Sequence, residues 1–158
     1  MSAGIFAGVQ TGCADVVIDV ATMNDIDAIR RLLAEADLPE AGLLDQFPAA
    51  YVVTRRGPEI VGVAGLEIYG RAGLLRSVAV APDLRGGGLG RRLVADRIVE
   101  ARAKALDVIY LLTTTAAEYF RAAGFRPASR EEAPAALAAS PQFAGVCPAS
   151  ASCLALRP

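Results

Sequence analysis

The chain has no histidine among its 158 residues. That absence excludes histidine general-base catalysis and most zinc sites at once. Cysteine is scarce and odd in number, at three (Cys13, Cys147, Cys153). An odd count suggests free thiols rather than a disulfide framework. Charge of one sign is also missing. The formal net charge is −1, and no Lys/Arg run is long enough for a nucleic-acid footprint. No uncharged apolar stretch reaches about 18 residues, which argues against a membrane span. The N-terminus lacks the basic region and compact apolar core of a signal peptide, so a cytoplasmic protein is expected.

What is present is an apolar-rich chain of one-domain size. Apolar residues make up 54% and charged residues 21%, enough for a sizeable core and incompatible with disorder. The mean hydropathy of +0.40 comes from Ala, Leu and Val spread along the chain. Residues 1–14 are small and aperiodic and read as a flexible segment, leaving 15–158 as a single domain.

The periodicities give strands over Val16–Ala21, Ala50–Arg55, Glu59–Tyr69, Leu74–Ala81, Val108–Thr113 and Ser150–Leu156. Helices are expected from Thr22 or Asn24 to Ala36, from Gly90 to Ala105, and from Ala116 to Ala123 with Gly124 closing it. Ser129-Arg130-Glu131-Glu132 has capping-box spacing and opens a helix to about Ala139. Leu38–Pro48 reads as irregular. The order describes an α/β sandwich on a mixed, mostly antiparallel sheet of about six to seven strands flanked by helices.

Between the fourth strand and its helix lies Asp83-Leu84-Arg85-Gly86-Gly87-Gly88-Leu89-Gly90. Successive glycines let backbone N–H groups turn toward an anion, and the helix start adds its unpaired N–H groups and positive dipole end. Arg85 and Arg91 can neutralise a pyrophosphate. No Lys-Ser or Lys-Thr follows, so the turn is not a P-loop. It follows an antiparallel meander with the wrong glycine spacing for a Rossmann fingerprint.

Arg85-Gly86-Gly87-Gly88-Leu89-Gly90 resembles the R/Q-x-x-G-x-G/A signature of the GNAT acetyltransferases. Leu75–Pro82 is similar to the family's preceding strand, and Tyr119-Phe120-Arg121-Ala122-Ala123-Gly124-Phe125 to its later aromatic–x–x–x–Gly–Phe helix end. Leu66–Gly70, Gly73–Ser77, Leu111–Thr115 and Cys147–Cys153 further resemble the ArsN-type acetyltransferases. That group is associated with arsenic resistance and with N-acetylation of glutamate analogues such as phosphinothricin, methionine sulfoximine and arsinothricin.

The resemblance implies an acetyl-CoA-dependent N-acetyltransferase working by direct transfer to the amine of a small molecule, in a chain that forms homodimers. Protein N-termini or polyamines are alternative acceptors, and a non-catalytic acyl-CoA sensor is the alternative of another class. It implies pantetheine held on the Val78-Ala79-Val80 backbone, with an N–H polarising the thioester carbonyl. Such a donor is worth about 3 kcal/mol. The pyrophosphate would sit on Arg85, Gly86, Gly87, Gly88, Leu89 and Gly90 beside Arg91, with Thr113 also at the cofactor.

Several roles stay open at this level. Glu67 interrupts an apolar strand and is either the general base or a solvated or salt-bridged strand residue. Arg76 and Ser77 interrupt the next strand. Arg76 either anchors a substrate carboxylate or pairs with Glu67. Thr113 to Thr115 present hydroxyls to the ligands, Thr115 to the acceptor, or cap the next helix. Phe120 occupies the family's usual tyrosine position and cannot donate a proton. Tyr119 or Tyr69 substitutes, or the thiolate leaves unaided. Tyr69 is also a candidate for acceptor binding. Cys147 and Cys153 are expected to be small buried residues rather than an arsenical thiol site.

Overall fold

The computed structural model describes residues 16–158; the segment 1–14 and Cys13 lie outside the described residues. One seven-stranded sheet runs in the order β1-β2-β3-β4-β5-β7-β6. Its strands are β1 (Val17–Val20), β2 (Tyr51–Arg56), β3 (Glu59–Tyr69), β4 (Ala72–Val80), β5 (Val108–Thr113), β6 (Arg126–Pro127) and β7 (Ser152–Leu156). Helices α1 (Ile26–Glu35) and α2 (Leu89–Ala103) both pack against β3 and β4, while α3 (Ala117–Ala122) packs against β7. All pairings are antiparallel except β4 with β5.

Local chemistry sets the joints. The carboxylate of Asp25 accepts from the backbone N–H of Thr22 at 2.8 Å, which closes the turn that leads into α1. Ile29, Leu32 and Leu33 then fall on the buried face of that helix. Two-residue turns at Gly57 and Gly70, both with positive φ, fold β2, β3 and β4 into a meander. The core divides into three clusters, centred on Ile29, Val53, Val63 and Leu93; on Leu66, Leu111, Phe120 and Phe125; and on Leu74, Tyr110 and Leu137.

One expected helix does not form as a unit. Ser129 Oγ accepts from the Glu131 N–H at 3.2 Å, but the turn it caps spans only Arg130–Glu132. Ala133 returns to extended backbone because Pro134 follows it. The helix then restarts as the single turn α4 (Ala135–Ala138). The short edge strand β6 and the turn at Gln142–Val146, broken at Gly145, carry no periodic pattern that the sequence would reveal.

Two irregularities of β4 position everything that follows. First, β4 pairs with β5 only over Ala72–Leu74 against Val108–Tyr110. Beyond that, Leu75–Val80 and Leu111–Thr113 part. Second, the β3 register shifts from Gly65↔Arg76 to Val63↔Ala79, so three steps on β4 oppose two on β3. The surplus residue forms a bulge in which Ser77 takes φ 57°, the left-handed region.

Candidate active site

The divergence of β4 from β5 opens a cleft of about 760 Å³, within the range that holds a cofactor-sized ligand. Its long wall is β4 from Leu75 to Val80, and the opposite wall is Leu111–Ala116 with Tyr119 and Phe120. Arg85, Gly86, Gly88, Gly90 and Arg91 line it at the turn between β4 and α2, and Val146–Pro148 and Ala151 line it as well, with Cys147 within electrostatic reach of Arg76. Ala36–Pro39, the exit of α1, completes the rim.

At the glycine end, Gly86 and Gly88 adopt φ 84° and 88°, and Gly88 caps α2. A Cβ at either position would meet nothing within 4 Å, so the turn is an open cradle. The first closed turn of α2 bonds Arg92 N–H to the Gly88 carbonyl at 3.1 Å. The N–H groups of Leu89, Gly90 and Arg91 precede it and have no intrahelical acceptor. Arg85 is seated by donating Nε to the Val80 carbonyl (3.1 Å) and a terminal nitrogen to the Glu35 carbonyl at the end of α1 (3.4 Å). These residues fit a pyrophosphate: two guanidinium groups, open αL glycines and a helix N-terminus converge on one spot.

The long wall offers backbone. Ala81 N–H bonds the Val61 carbonyl at 2.8 Å. Alternation therefore turns the Val80 peptide groups away from β3, into the gap that β5 has left. Val78 lines the same gap just past the bulge. Ala79 is buried and faces β3, opposite Val63.

Behind the bulge lies a buried polar network on one face of the sheet. Gly65, Glu67 and Tyr69 alternate along β3, Tyr51 sits opposite Gly65 on β2, and Arg76 sits opposite Gly65 on β4. A Cβ on Gly65 would come within 2.4 Å of the Tyr51 ring, so only glycine lets that ring lie flat across β3. Its hydroxyl then donates to Glu67 Oε2 at 3.0 Å. Tyr69 donates to Glu67 Oε1 at 3.0 Å, and Arg76 reaches Oε2 at 3.5 Å. The rest of the Arg76 guanidinium donates to Ser77 Oγ (3.1 Å) and to the carbonyls of Pro39 (3.4 Å) and Ala41 (3.0 Å). Gln142 donates to the same Ala41 carbonyl at 3.0 Å.

The structure thus brings Arg76, Ser77, Val78, Val80, Arg85, Gly86, Gly88, Gly90, Arg91, Thr113, Thr115 and Tyr119 to one cleft. Glu67, Tyr69, Ala79, Gly87 and Leu89 do not line it. Glu67 is buried and reaches the cleft lining through its contact with Arg76. Thr113 Oγ1 accepts from the Ala116 N–H at 3.0 Å, ahead of α3. Phe120 is a core residue packed on Phe125. Cys147 lines the cleft and Cys153 is buried on β7; both are free thiols, and burial pushes both upward in pKa. Sequence reasoning misses Tyr51 and the Pro39–Ala41 carbonyls. The only signal for Tyr51 is an aromatic placed across a strand pair from a glycine.

Burial pushes the Tyr51 hydroxyl far above its ordinary range, and burial together with the Glu67 charge pushes Tyr69 up to about 12. A raised pKa means that the folded protein holds this proton after the unfolded chain has released it. The Tyr69 contribution to stability is therefore complete below pH 10 and is lost between about pH 10 and 12. A melting series should show Tm falling across that window, with a shallower fall in Tyr69→Phe. Equal slopes would mean that the hydroxyl is not held in the network.

No helix among the described residues is long and apolar enough to cross a membrane. Comparison with known proteins agrees with the geometry. The chain is 36% identical over 131 residues to an amino-acid acetyltransferase of Ectopseudomonas mendocina, covering 75% of this chain and 29% of that protein. It is 45% identical over 102 residues to the amino-acid acetyltransferase of Pseudomonas aeruginosa, covering 63% of this chain and 23% of that protein. The chain therefore spans less than a third of the length of these curated relatives. N-acetylglutamate synthase from Neisseria gonorrhoeae, solved with coenzyme A and N-acetyl-glutamate, superposes with a TM-score of 0.78 at 26% identity, over 91% of this chain and 35% of that one. Residues 48–127 match the acetyltransferase (GNAT) domain family. With the splayed strands, the bulge and the glycine cradle all in this register, the chain belongs to the GNAT acetyltransferase family.

Proposed function

We propose that residues 15–158 act as one domain that transfers an acetyl group from acetyl-CoA directly to the amine of a small acidic amino acid. The acceptor class is glutamate or a glutamate analogue of the phosphinothricin, methionine sulfoximine or arsinothricin type. The observation that carries this reading is the charge of the cleft. Its lining holds Arg76, Arg85 and Arg91 against the single acid Asp37. Arg85 and Arg91 lie at the glycine cradle, which leaves Arg76, ion-paired with Glu67 behind the wall, as the guanidinium at the acceptor end. A polyamine acceptor would need acids there. The amino-acid acetyltransferases among its relatives, and the N-acetyl-glutamate in the gonococcal structure, support the same acceptor class.

In this reading the cradle amides, Arg85 and Arg91 hold the pyrophosphate. The Val78 and Val80 backbones hold the pantetheine arm, and an N–H at its Val78 end polarises the thioester carbonyl. The acceptor amine attacks the carbonyl carbon, the C–S bond breaks, and the thiolate leaves without a tyrosine donor at position 120. Glu67 serves by holding Arg76 in place rather than by taking the ammonium proton, because it lies behind the cleft wall. The amine gives that proton to water in the cleft.

Thiol release from acetyl-CoA over a panel of amino acids tests the reading. Turnover is expected with acidic amino acids or their analogues and not with polyamines. Coenzyme A binding without turnover on any amine would favour the non-catalytic sensor, a reading to which the buried Phe120 lends weight. Glu67→Gln separates the two roles of that carboxylate. The expected result is an acceptor KM raised severalfold, with the acidic limb of the kcat/KM profile unmoved. Loss of that limb together with a fall of about 10²-fold or more would restore Glu67 as the base.

A further inference from the structure

Tyr119 projects from α3 into the cleft, and its position differs from that of a proton donor to the leaving group. A Cβ built on Gly90 would stand 2.6 Å from the Tyr119 hydroxyl and 3.8 Å from Val80 Cγ2. The hydroxyl is therefore level with Val80 and beside the first turn of α2. In the proposed reading the pyrophosphate lies at the cradle and the acetyl end runs back along β4 toward Arg76, which puts the thioester carbonyl at the bulge of Ser77 and Val78, two to three residues from Val80. At about 3.3 Å per strand residue that is roughly 7–10 Å away. A general acid must come within about 3 Å of the atom it protonates. The Tyr119 ring stands 37% exposed on α3. It packs edge-on against Phe120 at 5.2 Å, and Phe120 packs in turn on Phe125 at 6.0 Å, in the core.

The hydroxyl is well placed for another task. Gly90 is the second residue of α2, and its N–H is one of those left without an intrahelical acceptor. Arg91 follows it and faces the same end of the cleft. Among the described residues the Tyr119 hydroxyl has no hydrogen-bond partner. Burial also holds it protonated well past neutrality, so it is available as a donor. It thus completes a ring of donors around an anion: the turn amides, two guanidinium groups and one phenol.

Building on the acetyl-CoA reading, we propose that Tyr119 is a cofactor-positioning residue whose hydroxyl donates to the phosphate end of coenzyme A at Gly90, and that it does not protonate the leaving thiolate. The glycine at position 90 is the other half of this device, because any Cβ there would displace the hydroxyl.

Calorimetric titration of wild type and Tyr119→Phe with coenzyme A, 4′-phosphopantetheine and pantetheine tests the assignment. Removing one hydrogen bond to a charged group is expected to weaken coenzyme A and phosphopantetheine binding about tenfold. Pantetheine, which lacks phosphate, should bind both proteins equally. In turnover, KM for acetyl-CoA should rise by a similar factor, while kcat stays within about twofold and the basic limb of its pH profile does not move. Gly90→Ala should weaken coenzyme A binding in wild type and add little in the Tyr119→Phe background. Equal coenzyme A affinity in wild type and Tyr119→Phe would overturn the proposal. So would a tenfold fall in kcat with a displaced basic limb. A wild-type protein that does not bind coenzyme A at all would instead sink the acetyl-CoA reading on which the proposal rests.

Discussion

Arg76→Met is expected to destabilise the fold by about 3–5 kcal/mol, the cost of removing one partner from a buried ion pair. For a chain of this length that lowers Tm by about 10 °C or more. The magnitude follows from how completely the pair is enclosed. The side chains of Arg76 and Glu67 expose only 4% and 1% of their surface. Without the guanidinium, Glu67 keeps just the hydroxyls of Tyr51 and Tyr69 as donors, with no cation to balance its charge. The loop at Pro39–Ala41 also loses its tie to β4.

The double variant Glu67→Gln/Arg76→Met should recover most of that loss. It buries no charge, and the carbonyl oxygen of the introduced amide can still accept from the tyrosine hydroxyls. Thermal unfolding of the two single variants and the double variant measures the coupling directly. Independent, additive effects would show that the pair at 3.5 Å contributes no mutual stabilisation. The double variant also isolates function from folding. It is expected to be stable enough to assay, it retains the cradle, and it lacks the cation proposed to meet the acceptor's acidic group. Its KM for an acidic acceptor should rise while its affinity for coenzyme A is unchanged.

The same residues show where sequence reasoning reaches and where it stops. The glycine turn at Arg85–Gly90, the bounds of β3 and β5, and the order of the elements apart from β6 are legible, because each depends on short-range patterns: glycine spacing, period-two alternation, caps. Ser129 reads as a cap, which it is, and as the start of a long helix, which it is not. Pro134, in plain view five residues on, forces Ala133 out of helical geometry. The bulge at Ser77 is not legible, since it exists only as a mismatch of register between two strands.

Glu67 illustrates a deeper limit. A carboxylate within an apolar strand reads the same whether it faces a ligand or is sealed by tyrosines from neighbouring positions. Only the third dimension shows that Tyr51, sixteen residues away in sequence, already occupies it. The distinction between Tyr119 and Phe120 is similar. Both line the cleft, but about 100° of helical rotation separates a ring packed into the core from a hydroxyl that reaches Gly90, and the position of that hydroxyl depends on how α3 meets α2.

The largest effect on activity is expected at the cradle, from Gly88→Val. Gly88 sits at φ 88°, where a β-branched side chain is strained, and relief of that strain would rotate the turn's N–H groups away from the cleft. Losing even two bonds to a charged phosphate, each worth about 1.5–3 kcal/mol, raises the KM for acetyl-CoA about 100-fold or more. Strain alone also destabilises, so the control must carry the same backbone cost elsewhere. Gly57, in the β2–β3 turn at φ 62°, is suited to this because a Cβ there also meets nothing within 4 Å. Gly57→Val should lose about 1–2 kcal/mol of stability, much as Gly88→Val does, with unchanged coenzyme A affinity. If the two variants proved equally competent toward coenzyme A, the turn would be an ordinary loop. The anion would then have to bind somewhere other than the pole where Arg85, Arg91 and the first amides of α2 converge.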